Sequence, residues 1–260
     1  MKNRIVENVV KSNLTYRFDI FLSVLNLILT LTIQISIWRA LFINKTNDAE
    51  SINLPYMISY VIISSFVSLF VNTNVIEKIN ERIKKGDISI DLIKPISFDY
   101  LMFSESCGMI LYNLITQISV IILFIICYRK YFVECYFGVF FFVSVIQSML
   151  LYFLISYCIG LVGFWYLEIW HLRRFIDGII KVFSGAIIPI VFFPEYMSNA
   201  IQWMPFRGLY DIPINMALNN TSNPEKIKDI IFQLVWILIF IILKNIIYKN
   251  GIRKVEVQGG

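Results

Sequence analysis

Charge is scarce in this 260-residue chain, at 16% of residues, and histidine occurs once, as His171. One histidine cannot build an HExxH zinc site, and there is no GxSxG nucleophile elbow, glycine-rich phosphate loop or pair of aspartates inside an apolar segment. Catalysis by this chain alone is therefore not expected. His171 stands next to Arg173 and Arg174 and reads as a headgroup or packing residue. The four cysteines, Cys107, Cys127, Cys135 and Cys158, lie in or beside apolar segments without CxxC spacing, which argues against a metal or redox cluster. They read as packing residues, although Cys127 and Cys135 flank one short loop and could pair if it faced an oxidising compartment. The first residues lack the compact apolar core and cleavage site of a signal peptide and are expected to persist in the mature chain. Also missing are the charged relay of a proton-coupled carrier and the regularly spaced arginines of a voltage sensor. Uphill transport would have to draw its energy from a partner.

Hydrophobic side chains, by contrast, make up 58% of residues, and the mean hydropathy is +0.70, which places the chain among integral membrane proteins. A hydrocarbon core about 30 Å thick takes about 20 apolar residues per helix, so the length suits roughly six crossings with little left over. The expected fold is an all-α integral membrane protein, a single domain over residues 1–260. Frequent isoleucine, asparagine and lysine with little alanine suggest an AT-rich, bacterial genome.

Residues 1–18 intersperse Ile5, Val6, Val9, Val10 and Leu14 with Lys2, Arg4, Glu7, Lys11 and Arg17, the pattern of a helix lying at a membrane surface. Apolar spans are expected at 20–43, 56–71, 100–127 and 136–163. The first carries Ser23, Asn26, Thr30 and Gln34 on one face, and the second Ser64, Ser68 and Asn72. Such faces can glue helix to helix or wall a substrate path, and from the residues alone the helix-to-helix contact is the favoured reading. Glu105, early in the third span, is expected at the interface. A basic, aromatic connection follows the fourth span, with Glu168, Trp170, His171, Arg173, Arg174, Asp177 and Lys181.

Between 182 and 217, Pro189, Pro194, Pro205 and Pro213 interrupt an otherwise apolar stretch, so one straight helix cannot cover it. The proline placement predicts a fifth span ending near 193, then a short helix opened by Pro194-Glu195 and closed before Pro205. Non-helical backbone at membrane depth survives only when shielded, so 194–217 is expected to be a re-entrant hairpin on the extracytoplasmic side. A sixth span is expected at 230–247. With both termini cytoplasmic, sixteen of the 23 Lys and Arg residues fall inside, as the positive-inside rule requires, and the net charge of +5 needs no nucleic acid. Arg129-Lys130, on the outer side, is the one local mismatch.

The densest charge lies from Glu77 to Asp87 and continues to Pro95. Ile76, Ile79 and Ile83 share one helical face, Glu81 and Lys85 stand four apart, and Gly86 supplies a stop. Beyond it, Pro95 discourages helix at Lys94, so a loop is expected there. Read from the residues alone, 76–95 is either a docking element or a solvated face.

The segments Lys85-Gly86-Asp87-Ile88 and Leu92-Ile93-Lys94-Pro95-Ile96 sit between the second and third spans. Basic interfacial residues follow the fourth, and then Ser184-Gly185-Ala186-Ile187-Ile188-Pro189-Ile190-Val191-Phe192-Phe193-Pro194-Glu195 and Met204-Pro205-Phe206-Arg207. In this order they resemble the membrane subunit of bacterial type-2 ABC exporters. The resemblance implies that 76–95 is a cytoplasmic coupling helix seated in a cleft of the ATP-binding subunit, with Glu77, Glu81, Arg82, Lys85, Gly86 and Asp87 in that role. It implies two permease subunits, identical or paralogous, and two ATP-binding subunits that supply ATP and Mg in trans. Asn26, Thr30, Gln34, Ser64 and Ser68 would then flank the translocation path. Pro189, Phe193, Pro194, Glu195 and Pro205 would belong to an extracytoplasmic gate. The implied activity is efflux of a hydrophobic or amphipathic compound, such as a drug or antimicrobial peptide, from the bacterial cytoplasm, a route to antimicrobial resistance. A channel or ion-coupled carrier working without ATP is the alternative.

Overall fold

The computed structural model describes residues 2–42, 53–93, 95–133, 135–166, 169–218 and 222–258, all helices and connections. In chain order the α-helices are α1 (Lys2–Thr15), α2 (Arg17–Phe42), α3 (Leu54–Val71), α4 (Val75–Lys85), α5 (Asp87–Ile93), α6 (Phe98–Cys127), α7 (Val139–Leu161), α8 (Trp170–Phe183), α9 (Glu195–Ile201), α10 (Asp211–Ala217) and α11 (Asn223–Gln258). Five helical stretches are long and apolar enough to cross a membrane: α2, α3 continued by α4, α6, α7 with the turn after it, and α11. They correspond to the first four and the last of the expected spans.

Local chemistry sets the boundaries. Asn53 accepts the Tyr56 amide at 3.0 Å to open α3, with Pro55 in its first turn, and Ser97 caps α6. The helices then pack through apolar stripes. Leu27, Leu31, Ile35 and Trp38 of α2 bury against Met57, Ile58 and Val61 of α3 and Ile121 and Phe124 of α6. A second core centres on α7, whose Tyr157 and Leu151 are sealed between α3, α4, α10 and α11. Polar groups at depth are tied. Gln233 of α11 donates to the Gly208 carbonyl at 2.7 Å, as does Ser148 of α7 at 2.8 Å, while Lys244 and Tyr157 both bind Asp99. The α1 helix lays Val9 against Gly108 of α6. The four cysteines are free thiols.

Three expectations are corrected. The loop after Gly86 is instead helix α5, because Asp87 starts a new turn and Ile88 and Asp91, three apart, both bury. The basic connection after the fourth span is helix α8, whose apolar and charged residues sort onto two faces. That helix stops at Phe183 rather than running to 193. Gly185 adopts φ +83°, and its carbonyl and that of Ala186 accept the Tyr60 hydroxyl at 2.6 Å and the Ser64 hydroxyl at 2.7 Å. Side chains of α3 thus replace the helical bonds that the break forfeits.

Candidate docking surface and polar cavity

The candidate coupling residues are sorted by the fold into two sets. Ile76 and Ile79 press α4 onto α7, and this turns Glu77 and Arg82 sideways into neighbouring helices. Arg82 bridges Asp91 of α5 and Glu105 of α6, the latter at 2.5 Å, and Lys78 also reaches Glu105 at 3.1 Å. Glu105 is therefore a buried partner of two cations, and the cost of an acid inside an apolar helix is offset by charge-assisted bonds. Glu77 pairs with Arg173 of α8, which also reaches Asp177 at 3.4 Å.

Glu81, Lys85, Gly86 and Asp87 face outward. The Glu81–Lys85 pair forms at 2.5 Å, and Gly86 closes α4 in the left-handed conformation, φ +74°. Beside them lie two side chains that helical spacing did not single out: Ile90 is 59% and Ile93 85% exposed. Their signal is visible in hindsight, since Ile88 and Asp91 take the inward face of α5 and leave Ile90 and Ile93 outside. The result is a charged rim around an apolar tip, held rigid from behind by the Arg82 bridges. A cleft of about 510 Å³ opens between this tip and α1, lined by Lys78, Arg82, Asp91 and Glu105.

The five candidate path residues come together. Asn26, Thr30 and Gln34 of α2 and Ser64 and Ser68 of α3 line one cavity of about 650 Å³, joined by Asn113 of α6 and Tyr210. Their roles within it differ. Ser64 spends its hydroxyl on the Ala186 carbonyl and Ser68 on the Ser65 carbonyl, whereas Asn26 and Thr30 are exposed. Arg173, Asp177 and Lys181 stand along the same cavity, so α8 links the docking surface to it.

The five candidate gate residues are not one cluster. Pro189 precedes a 3-10 turn at Ile190–Phe192 and is buried. Phe193 stacks on Phe183 with centroids 6.4 Å apart, Pro194 and exposed Glu195 open α9, and Pro205 opens a second 3-10 turn. Phe192, in the first turn, packs its ring tilted at 31° against Trp38 with centroids 5.3 Å apart, close to the far end of α2. The hairpin is anchored inward by Arg207, which binds Asp211 at 3.1 Å and Asp229 of α11 at 3.0 Å.

The family model for ABC-2 family transporter proteins matches residues 27–259. No curated protein matches the chain. The chain belongs to the ABC-2 transporter family: it is a multi-pass transmembrane subunit of an ABC transporter, a family whose membrane subunits work with an ATP-binding subunit.

Proposed function

We propose that this permease is an exporter subunit that takes its energy from a separate ATP-binding protein seated on the α4–α5 tip. One observation carries the reading: Ile90 and Ile93 stand in water-accessible positions beside Glu81, Lys85 and Asp87, on a platform cross-braced by Arg82. Apolar anchors inside a charged rim suit a soluble partner, and a merely solvated face has no use for them.

Two permeases, identical or paralogous, and two ATP-binding subunits make up the working assembly, with ATP and Mg bound by the latter. The exposed Asn26 and Thr30 of the half-open cavity then face the second permease across the path. Its mixed polar and apolar wall suits an amphipathic cargo such as a drug or antimicrobial peptide.

Six crossings with both termini cytoplasmic account for the remaining geometry. The α8 helix starts beside Glu77, and the chain beyond it reaches Trp38 at the other end of the bundle. Its 14 residues span only about 21 Å, short of a bilayer, so the 3-10 turn and the chain around it complete the passage. Residues 194–217 then form the extracytoplasmic hairpin that closes the exit.

Affinity capture from membranes co-expressing the ATP-binding subunit tests the docking. Ile90→Asp with Ile93→Asp and, separately, Glu81→Lys should each cut its recovery at least tenfold while insertion is unchanged. Full recovery in both variants rejects the docking role. Transport that persists without the ATP-binding subunit would favour a channel or carrier.

A further inference from the structure

A second cavity, of about 310 Å³, lies on the outside of the bundle, away from the polar one. Isoleucine and phenylalanine alone line it: Ile62 and Phe66 from α3, Ile118, Ile122 and Ile125 from α6, and Phe141 from α7 among them. No polar atom in it could hold a cargo headgroup or a water. The groove lies within membrane-crossing helices, at a depth set by Ile125, in the last turn of α6.

Directly beyond that end stand Arg129 and Lys130, the pair that breaks the charge asymmetry of the chain. Both are exposed, and neither forms an ion pair among the described residues. Arg39 joins them, its guanidinium 6.0 Å from the Tyr128 ring and 5.9 Å from the Tyr131 ring. The acids of the neighbouring loops, Asp48, Glu50 and Glu134, lie outside the described residues. The same loop supplies Phe132 and Phe137 to the groove and is pinned to α3 by the Val133 amide, which donates to Ser59 Oγ at 2.8 Å. Cations and groove are therefore parts of one corner.

We propose that this corner is a binding site for an anionic phospholipid of the leaflet at the C-terminal end of α6. One acyl chain lies in the groove, and Arg129 and Lys130 hold the phosphate, with Arg39 at the edge. Hydrocarbon gains little by leaving bulk lipid for an apolar groove, because lipid tails are as apolar as isoleucine. The groove therefore sets position, and the cations set selectivity. A run of basic residues that opposes the usual charge asymmetry is explained by a ligand that pays for it.

The test uses the full-length protein purified in a neutral detergent, with phosphatidylglycerol and phosphatidylcholine compared by native mass spectrometry. The wild type should retain one phosphatidylglycerol per chain in preference to phosphatidylcholine. Arg129→Ala with Lys130→Ala should weaken that retention about thirtyfold, the product of two surface cation contacts. Ile122→Trp, a change at an exposed groove position, should displace the lipid while the melting temperature stays within a few degrees of wild type. Glycerophosphate without acyl chains should not compete. Equal retention of the two lipids, selective retention that survives either variant, or full competition by glycerophosphate overturns the proposal.

Discussion

Replacing Arg82 with glutamine separates the two ways in which residues of the α4–α5 tip can matter. Arg82 is itself only 24% exposed, and it holds Asp91, whose side chain is 2% exposed, and Glu105, at 11%. Removing one member of a buried charge pair costs about 3–5 kcal/mol, because the other charge stays in a poor solvent. The lower end applies here, since Lys78 still serves Glu105 at 3.1 Å and Asp91 keeps a further interaction. About 3 kcal/mol corresponds to a local opening of α5 that is favoured roughly 150-fold more than in wild type. Hydrogen exchange followed by mass spectrometry should show this as faster exchange confined to 87–93, with α7 unchanged. Glu81→Gln, which breaks a pair exposed on both sides, should leave exchange as it was. Adding Asp91→Asn to Arg82→Gln should restore part of the lost protection, because the buried carboxylate goes with its cation. Wild-type exchange in Arg82→Gln, or no rescue in the double variant, would refute the idea that Arg82 braces the tip.

Gly86→Ala meets no atom within 4 Å, so only its φ of +74° is at issue, and a cost of about 1–2 kcal/mol should appear as lost docking with an intact melting temperature, milder for Gly86→Asn. Tyr60→Phe leaves the buried Gly185 carbonyl without its hydroxyl and should destabilise the hairpin by about 1–3 kcal/mol, read as faster proteolysis after 185. In a cysteine-free background, Asn199→Cys should react with an impermeant maleimide from outside intact cells, and labelling only after permeabilisation would overturn the proposed orientation. In the native chain, burial pushes the Cys135 thiol up to about 11. Its alkylation at neutral pH should accordingly be slow and should accelerate as pH rises toward that value, measured by intact mass.

Most of the helical inventory was legible because apolar run length and charge-free windows are local properties. Five long apolar helices, the Gly86 stop, the Ile76 and Ile79 face and the short helix opened after Pro194 follow from residues within a turn or two of one another. The polar faces of α2 and α3 were visible as stripes, but whether they met lipid, each other or a cavity depended on how the two helices and α6 were rotated. The α8 segment misled because its charges read as a connection, although they fall on one face of a helix that seats Ile180 in the core. The end of that helix was obscured for a related reason. Gly185 leaves the helical path where the hydroxyls of Tyr60 and Ser64, more than 120 residues earlier in sequence, donate to the carbonyls of Gly185 and Ala186 that the break frees.

The amino-acid order by itself determined that the chain lives in a bilayer, which five segments are long and apolar enough to cross it, and that a charged, glycine-stopped helix stands between the second and third of them. Tertiary structure decided which charges on that helix are available. Glu77 and Arg82 are spent on Arg173, Asp91 and Glu105, while Glu81, Lys85 and Asp87 remain outside beside Ile90 and Ile93. An ion pair is a statement about distance in space, and residues 9, 23 and 96 positions apart in sequence carry no local mark of meeting.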